Sequence, residues 1–331
     1  MKKTAALASF LFIFCAGIAT QAQTKTGIHL LRTHPVQGDG SWDYLLADQG
    51  KLYVSHGTQV DILDQTTGKS TGIITNTSGV HGIAVVAALK KGYISDGKSN
   101  DCTVFETSGN TVLKKIKTGE KPDAVFYDDF SKKIFVFNGR SSDVSVINPE
   151  TDEVIKTIPL GGKPETGVSD GKGNIYVNIE DKNEVVCFDA TTFVIKHRFA
   201  LQGGEEPSGL AIDRVTNRLF VGCGNQKLIV LDALTGKNIS TLPIGDGSDG
   251  VVFDTGLKLI YSANREGTLT VIKELSANKF TVLENVKTSY GARTLAINQT
   301  THRIFLPTSD FTKGNQKNII PGTFRVMEFG K

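Results

Sequence analysis

Cysteine is scarce in this chain: Cys15, Cys102, Cys187 and Cys223 are all there are, and none has a CxxC neighbour. That excludes a zinc knuckle or a dithiol redox centre and leaves buried, reduced thiols as the expectation. Helix-like periodic stretches are few, and tryptophan occurs once. After Ile18 no apolar run reaches membrane length, so no spanning helix is expected. An excess of one charge is also missing. Lysine and arginine total 37 against 34 acidic residues, a formal charge of +3. Such a balance gives no footprint for duplex nucleic acid or an anionic membrane. No P-loop occurs, and no GxGxxG follows a strand and opens a helix, so a nucleotide site is not expected.

What is present begins with a secretory signal. Lys2 and Lys3 precede an apolar stretch from Ala5 to Ile18, and Thr20-Gln21-Ala22 offers small residues for cleavage before Gln23. Residues 1–22 are therefore read as a signal peptide and residues 23–331 as one domain, secreted or periplasmic. Bulky Phe14 beside Cys15 argues against a lipoprotein. Losing Lys2 and Lys3 lowers the charge from +3 to +1.

The rest of the chain repeats. Turns start at Asp64 (DQTTGK), Glu106 (ETSGNT), Asn148 (NPETDE), Asp189 (DATTFV), Asp232 (DALTGK) and Lys273 (KELSAN), in steps of 42, 42, 41, 43 and 41 residues. An alternating strand precedes each turn (VDIL, TVFE, VSVIN, VVCFD, LIVLD, LTVIK), and another lies before it (LYVSH, GYISD, IFVFN, IYVNI, LFVGC, LIYSA). A short apolar strand stands further upstream, and a fourth ends at a glycine-rich break such as KTIPLGGKP. Four short strands per period predict an all-β fold, a β-propeller of four-stranded blades. Inner strands begin near Trp42, Gly82, Asp123, Thr166, Gly209, Gly250 and Thr294, which makes seven blades. The seventh runs out of chain after FRVMEF. The missing strand is available at the other end, as IHLLRTHPV over residues 28–36, so the N-terminal strand is expected to pair with the last blade and close the ring.

An inner strand after P-x-G, a LYVxN-like strand, a VxVID-like strand and a TGKxIxTIPxG finish resemble the YncE-like, YVTN-repeat β-propellers. The resemblance covers essentially all of the chain beyond the signal, most clearly residues 122–250. It implies an extracytoplasmic binding or interaction protein and says little of mechanism. Blade one departs from the pattern, with SWDYLLAD in place of the P-x-G start. Blade seven departs too, with an insertion over residues 308–323 between its second and third strands. Loops that long are uncommon without a function of their own or disorder.

Aligning the inner strands on Asp48, Asp128, Asp170, Asp213, Asp254 and Asn298 brings Asp43, Asp123, Glu165, Ser208, Asp249 and Arg293 into register five positions upstream. Blade two offers His81 or Gly82. Each stands where the chain comes in beside the axis, so Asp43, His81, Asp123, Glu165, Asp249 and Arg293 are expected to ring an acidic channel mouth. Its partner would be a small ligand, a cation or a protein. Loops carrying His56, Asp96, Asn138, Arg140, Asn178, Glu180, Asn225, Asn264 and Arg265 emerge on the same face. A metal-dependent hydrolase of the lactonase kind is the alternative. There Asp43, Glu165 and Asp249, with asparagine oxygens, would hold calcium or magnesium to polarise a carbonyl and activate water. Trp42, Tyr44 and Tyr290 lie near this face and are expected to pack under the first and last blades rather than to stack bases. Neither a serine triad nor a redox role finds support in the motifs.

Overall fold

Alternation in runs such as LIVLD and VSVIN sends successive side chains to opposite faces of a strand. Nearly every residue of the second and third strands of each blade is nonetheless buried, because both faces of a blade are covered by its neighbours. The computed structural model describes residues 25–38, 40–313 and 315–331. The expected signal peptide lies outside them. Within them seven four-stranded antiparallel sheets stand in a ring, beside one two-stranded hairpin. Blade one holds Leu45–Asp48, Lys51–His56, Gln59–Asp64 and Ser70–Ile74. Blade three, the most regular, holds Pro122–Asp128, Lys133–Asn138, Asp143–Asn148 and Glu153–Pro159. The helical segments described are two 3-10 turns of three residues each, Ala87–Leu89 and Glu180–Lys182. No helix among the described residues is long and apolar enough to cross a membrane.

The core is divided like the ring. Seven apolar clusters form, one at each junction between neighbouring blades. Tyr53, Tyr93, Tyr176 and Tyr261, from equivalent second strands, are wholly enclosed in them. Cys102, Cys187 and Cys223 are free and buried, and burial pushes the Cys187 thiol up to about 11. They fill space in the clusters between blades two and three and between blades four and five. At the axis the inner strands approach so closely that some positions tolerate no side chain. A Cβ on Gly82 would stand 2.8 Å from the Val125 nitrogen, and one on Gly209 2.6 Å from that of Val251. The glycine of the P-x-G start in Pro207-Ser208-Gly209 is thus a packing requirement.

Closure occurs as the offset of the two ends requires. His29–Pro35 pairs antiparallel with Arg325–Gly330, which pairs with Arg303–Thr308, and this strand with Ala296–Asn298. Glu328 is buried in the seam, bonded to His34 at 2.9 Å and Arg32 at 3.0 Å. The insertion is ordered rather than a loose excursion where it is described. Phe311–Thr312 and Asn315–Ile319 form the hairpin, and Phe311 sits edge-on to Trp42 and Tyr290. Trp42 stacks on Phe324 as well, so two of the three mouth aromatics are packed at the first and last blades. Tyr44 is the exception.

Candidate functional site

In blades two to six the inner ladder slips at its start, and the slip places one side chain at the axis. Register shifts separate Val80 from Ile83, Pro122 from Val125, Pro164 from Gly167, Pro207 from Leu210 and Ser248 from Gly250. His81, Asp123, Glu165, Ser208 and Asp249 stand inside those five irregularities. A bulge bends the strand and re-aims a side chain that the pleat would point sideways. Blades one and seven reach the same end by starting their inner strands late, so Asp43 and Arg293 precede Leu45–Asp48 and Ala296–Asn298. The freed backbone is satisfied locally, as when the Asp43 amide donates to Ser55 Oγ at 2.7 Å.

Six of the seven residues form a chain of contacts around the axis, and Glu165 stands outside it. Asp123 lies 3.7 Å from His81 Nδ1, which bonds Asp43 at 2.5 Å. Asp43 lies 3.8 Å from Arg293, whose Nε donates to Asp249 at 2.5 Å, and Ser208 Oγ donates to the other Asp249 oxygen at 2.6 Å. Glu165 is held apart by Lys163 at 2.7 Å, and Lys163 also bonds Glu180. The mouth is therefore not the bare acidic ring that the alignment suggests. Cations alternate with carboxylates and remove most of the repulsion. What remains falls on Asp123 and Glu165. Burial, then the Asp43 charge, pushes Asp123 up to about 7. Burial, then Asp123, pushes Glu165 up to about 8, an effect that Lys163 only partly offsets. Burial works against the His81 proton, yet the bond to Asp43 and the charges of Asp123 and Asp43 outweigh it and raise the imidazole.

Tyr44 points into the channel instead of under a blade. Its hydroxyl lies 3.4 Å from Thr166 Oγ1, three blades round the ring. Burial, then the charges of Asp123, Glu165, Asp43 and Asp249, raises the phenol well above its ordinary range, so it stays a neutral bar beneath the ring. Sequence reasoning missed this and missed Lys163. An aromatic after the site residue of blade one, and a lysine two residues before that of blade four, were the available signals.

Above the ring the mouth divides by charge. A depression of about 430 Å³ over blades one to three is lined by Lys98, Lys121, Arg140 and Arg293, beside Asp43 and His81. One of about 300 Å³ over blades four to six is lined by Glu180, Glu206, Asp246 and Asp249, with Arg265. Lys98, Lys121 and Arg140 are exposed and make no side-chain ion pair among the described residues. The other loop residues mostly serve the blades. His56 bonds Asp61 at 2.8 Å, Asn138 bonds Asp143 and Ser145, Asn178 bonds the Ser208 and Gly209 carbonyls, and Asn264 bonds Thr268 and Thr270. Asp96 is buried against Thr103. Asn225 is likewise tied to the Gly203 carbonyl at 3.0 Å.

Of the residues that could hold a metal, Asp43, His81 and Asp123 bring ligand atoms within 4.8 Å of one another. Glu165 and Asp249 stand outside that cluster. A nitrogen donor suits a transition metal better than calcium or magnesium, which favour oxygen alone. A run spelling GKSTG over residues 68–72 has the spacing of a nucleophile elbow. Ser70, however, opens the outermost strand of blade one after a turn, and it makes no hydrogen bond to a histidine.

No protein-family profile matches the chain, and no curated protein matches it. Solved structures do match in shape. Hydrazine synthase of Kuenenia stuttgartiensis aligns with a TM-score of 0.71 at 15% identity, over 88% of this chain and 96% of that one. A structure of U3-55K aligns at 0.76 with 9% identity, over 92% and 99%. The WD40 repeats of RRP9 align at 0.76 with 10% identity, over 94% and 99%. At such identities the likeness establishes the seven-bladed propeller and nothing finer.

Proposed function

We propose that this chain is an exported, non-enzymatic binding propeller of the YncE-like kind, whose channel-mouth face receives a ligand or partner segment carrying charges of both signs. The division of the mouth supports this most directly. Unpaired Lys98, Lys121 and Arg140 flank one side, and Glu206 and Asp246 flank the other. Rigid blades hold these loops apart at fixed spacing, a common way to present a binding surface. A ligand of one sign would satisfy one depression and be repelled by the other. The hydrolase reading draws less support, because Asp249 and Glu165 already engage Arg293 and Lys163.

A thermal-shift screen tests the reading. A short peptide with an acidic block and a basic block should raise the melting temperature by mass action, whereas all-acidic and all-basic peptides should not. Arg140→Glu together with Asp246→Lys should abolish the gain. Equal shifts from a peptide of one sign would overturn the proposal. A shift from calcium or magnesium that Asp43→Asn removes, with lactone turnover, would replace it by the metal reading. Export is checked separately, by locating the processed protein outside the cytoplasm.

A further inference from the structure

Below Tyr44 the channel changes character. Leu46, Val85 and Tyr127 line a cavity of about 350 Å³ over blades one to four. Val168, Ile212, Val252 and Ile297 line one of about 520 Å³ over blades four to seven. Each blade thus contributes one half-buried apolar side chain. Every one of the seven touches a blade-junction core on one side and faces the channel on the other. Packing explains the buried part of each side chain but gives no reason for the part left facing the channel, where a polar residue would fit equally well. Cavities of a few hundred Å³ with apolar walls and few polar groups are the usual form of a small-molecule site.

The polar groups on these walls narrow the ligand. In the larger cavity Asp213 is paired with Lys258 at 3.1 Å, and Arg214 is paired with Asp129 at 3.0 Å. In the smaller one Asp48 stands apart from its equivalents. Asp128 accepts from Ser169 at 2.5 Å, Asp254 from His302 at 2.8 Å, and Asn298 donates to Gln65 at 2.5 Å. Asp48 is half-buried on the cavity wall, and its carboxylate has neither a hydrogen bond nor an ion pair among the described residues. We propose that this lower half of the channel is a second binding site, separate from the mouth, for a compact apolar molecule with one hydrogen-bond donor, an alcohol or an amine. The apolar body lies against the seven side chains and the donor meets Asp48. Tyr44 and Thr166 roof the smaller cavity, where Asp48 stands, so the ligand comes from the face opposite the mouth.

N-phenyl-1-naphthylamine, an apolar aryl amine that fluoresces strongly out of water, is the probe. Titrated into the purified protein, it should show one saturable site. Val85→Trp fills the smaller cavity and Val252→Trp the larger. Either should weaken binding by about tenfold or more, since a full cavity accepts added volume only with strain. Asp48→Leu should weaken the probe by about tenfold, the value of one hydrogen bond to a charged acceptor, while naphthalene, which has no donor, competes as well as before. Displacement by 1-hexanol or by hexylamine tells the alcohol from the amine. Arg140→Glu, at the mouth, should leave the affinity for the probe as it is. Lack of saturable binding by the unmodified protein would overturn the proposal, as would unchanged affinity in whichever tryptophan variant folds. Equal weakening of probe and naphthalene by Asp48→Leu would overturn the role of the carboxylate.

Discussion

Above Tyr44 the inner strands present Asp43, His81, Asp123, Glu165, Ser208, Asp249 and Arg293 to the axis. A few residues further along, the same strands present Leu46, Val85, Tyr127, Val168, Ile212, Val252 and Ile297. One stretch of backbone makes an ionic ring and an apolar-walled well, and in blades two to six the change follows the register slips. A bulge costs one residue of pairing and lets neighbouring turns of the same strand serve different chemistry. The difference shows that the ring is stabilised by mutual charge pairing, whereas the well is held by the blade junctions behind it.

Breaking the ring should therefore hurt most. Arg293 joins Asp43 to Asp249 and also donates to the Trp42 carbonyl at 3.3 Å. Arg293→Ala removes the cation shared by Asp43 and Asp249 and should cost about 2–3 kcal/mol, with Arg293→Lys recovering part of it. Thermal melting should show a drop of roughly 5 °C, given a few degrees per kcal/mol for a domain of this size. Val252→Ala, in the well, should cost about 1 kcal/mol, because the side chain is only half-buried. If the two losses were equal, the contrast between the halves would not hold.

A smaller effect concerns pH. Asp123 and Glu165 bind their protons up to about 7 and 8 in the fold, against ordinary values of 3.8 and 4.5. Between those limits the folded protein holds more protons than the unfolded chain, so stability falls as pH rises and levels off above about 8. The melting temperature should decline from pH 5.5 to 8.5. Asp123→Asn with Glu165→Gln should reduce that slope without touching the well, the remainder coming from Asp96, Glu274 and His81, which the fold also pushes up. A slope that the double variant leaves unchanged would mean that Lys163 and His81 keep both groups ionised.

The smallest effect sits on the boundary itself. Tyr44→Phe removes only a long hydroxyl contact to Thr166 and should change stability by less than about 0.5 kcal/mol. Tyr44→Ala removes the bar, and should cost about 1–2 kcal/mol while joining the ring to the well. Loss of the slow-exchanging character of nearby inner-strand amides in the alanine variant alone, read by hydrogen exchange, would confirm the partition. Identical exchange in both variants would show that Tyr44 separates nothing.

Much of this was legible in the sequence. A period near 42 residues and strands that alternate at two residues gave the blades, and the offset of the two ends gave the closure. Alignment on the aspartates also put Asp43, Asp123, Glu165, Asp249 and Arg293 together, because position along equivalent strands translates directly into height along the axis. Direction was harder to read. The slips at Pro122, Pro164 and Pro207 have no signal beyond the proline, and Tyr44 reads as one more strand aromatic. Lys163, two residues before Glu165, resembles an ordinary loop lysine until the turn folds it back. The well was invisible for a related reason: alternation marks Val85, Ile212 and Ile297 as apolar strand residues without showing that each leaves one side open to the channel.

The seam at Glu328 has a consequence in time. Among the described residues His29–Pro35 is the first strand to be made, and its partner is the last. At about 5–20 residues per second of synthesis, some 300 residues separate them by roughly 15–60 s. For that interval the opening strand waits with its hydrogen-bonding groups unclaimed. Its composition suits the wait: His29, Arg32, His34 and Pro35 discourage chance pairing with other strands. The arriving Glu328 then meets Arg32 and His34, a guanidinium and a hydrogen-bonding imidazole placed to recognise it. The same carboxylate that locks the finished ring is also the key by which its two ends identify each other.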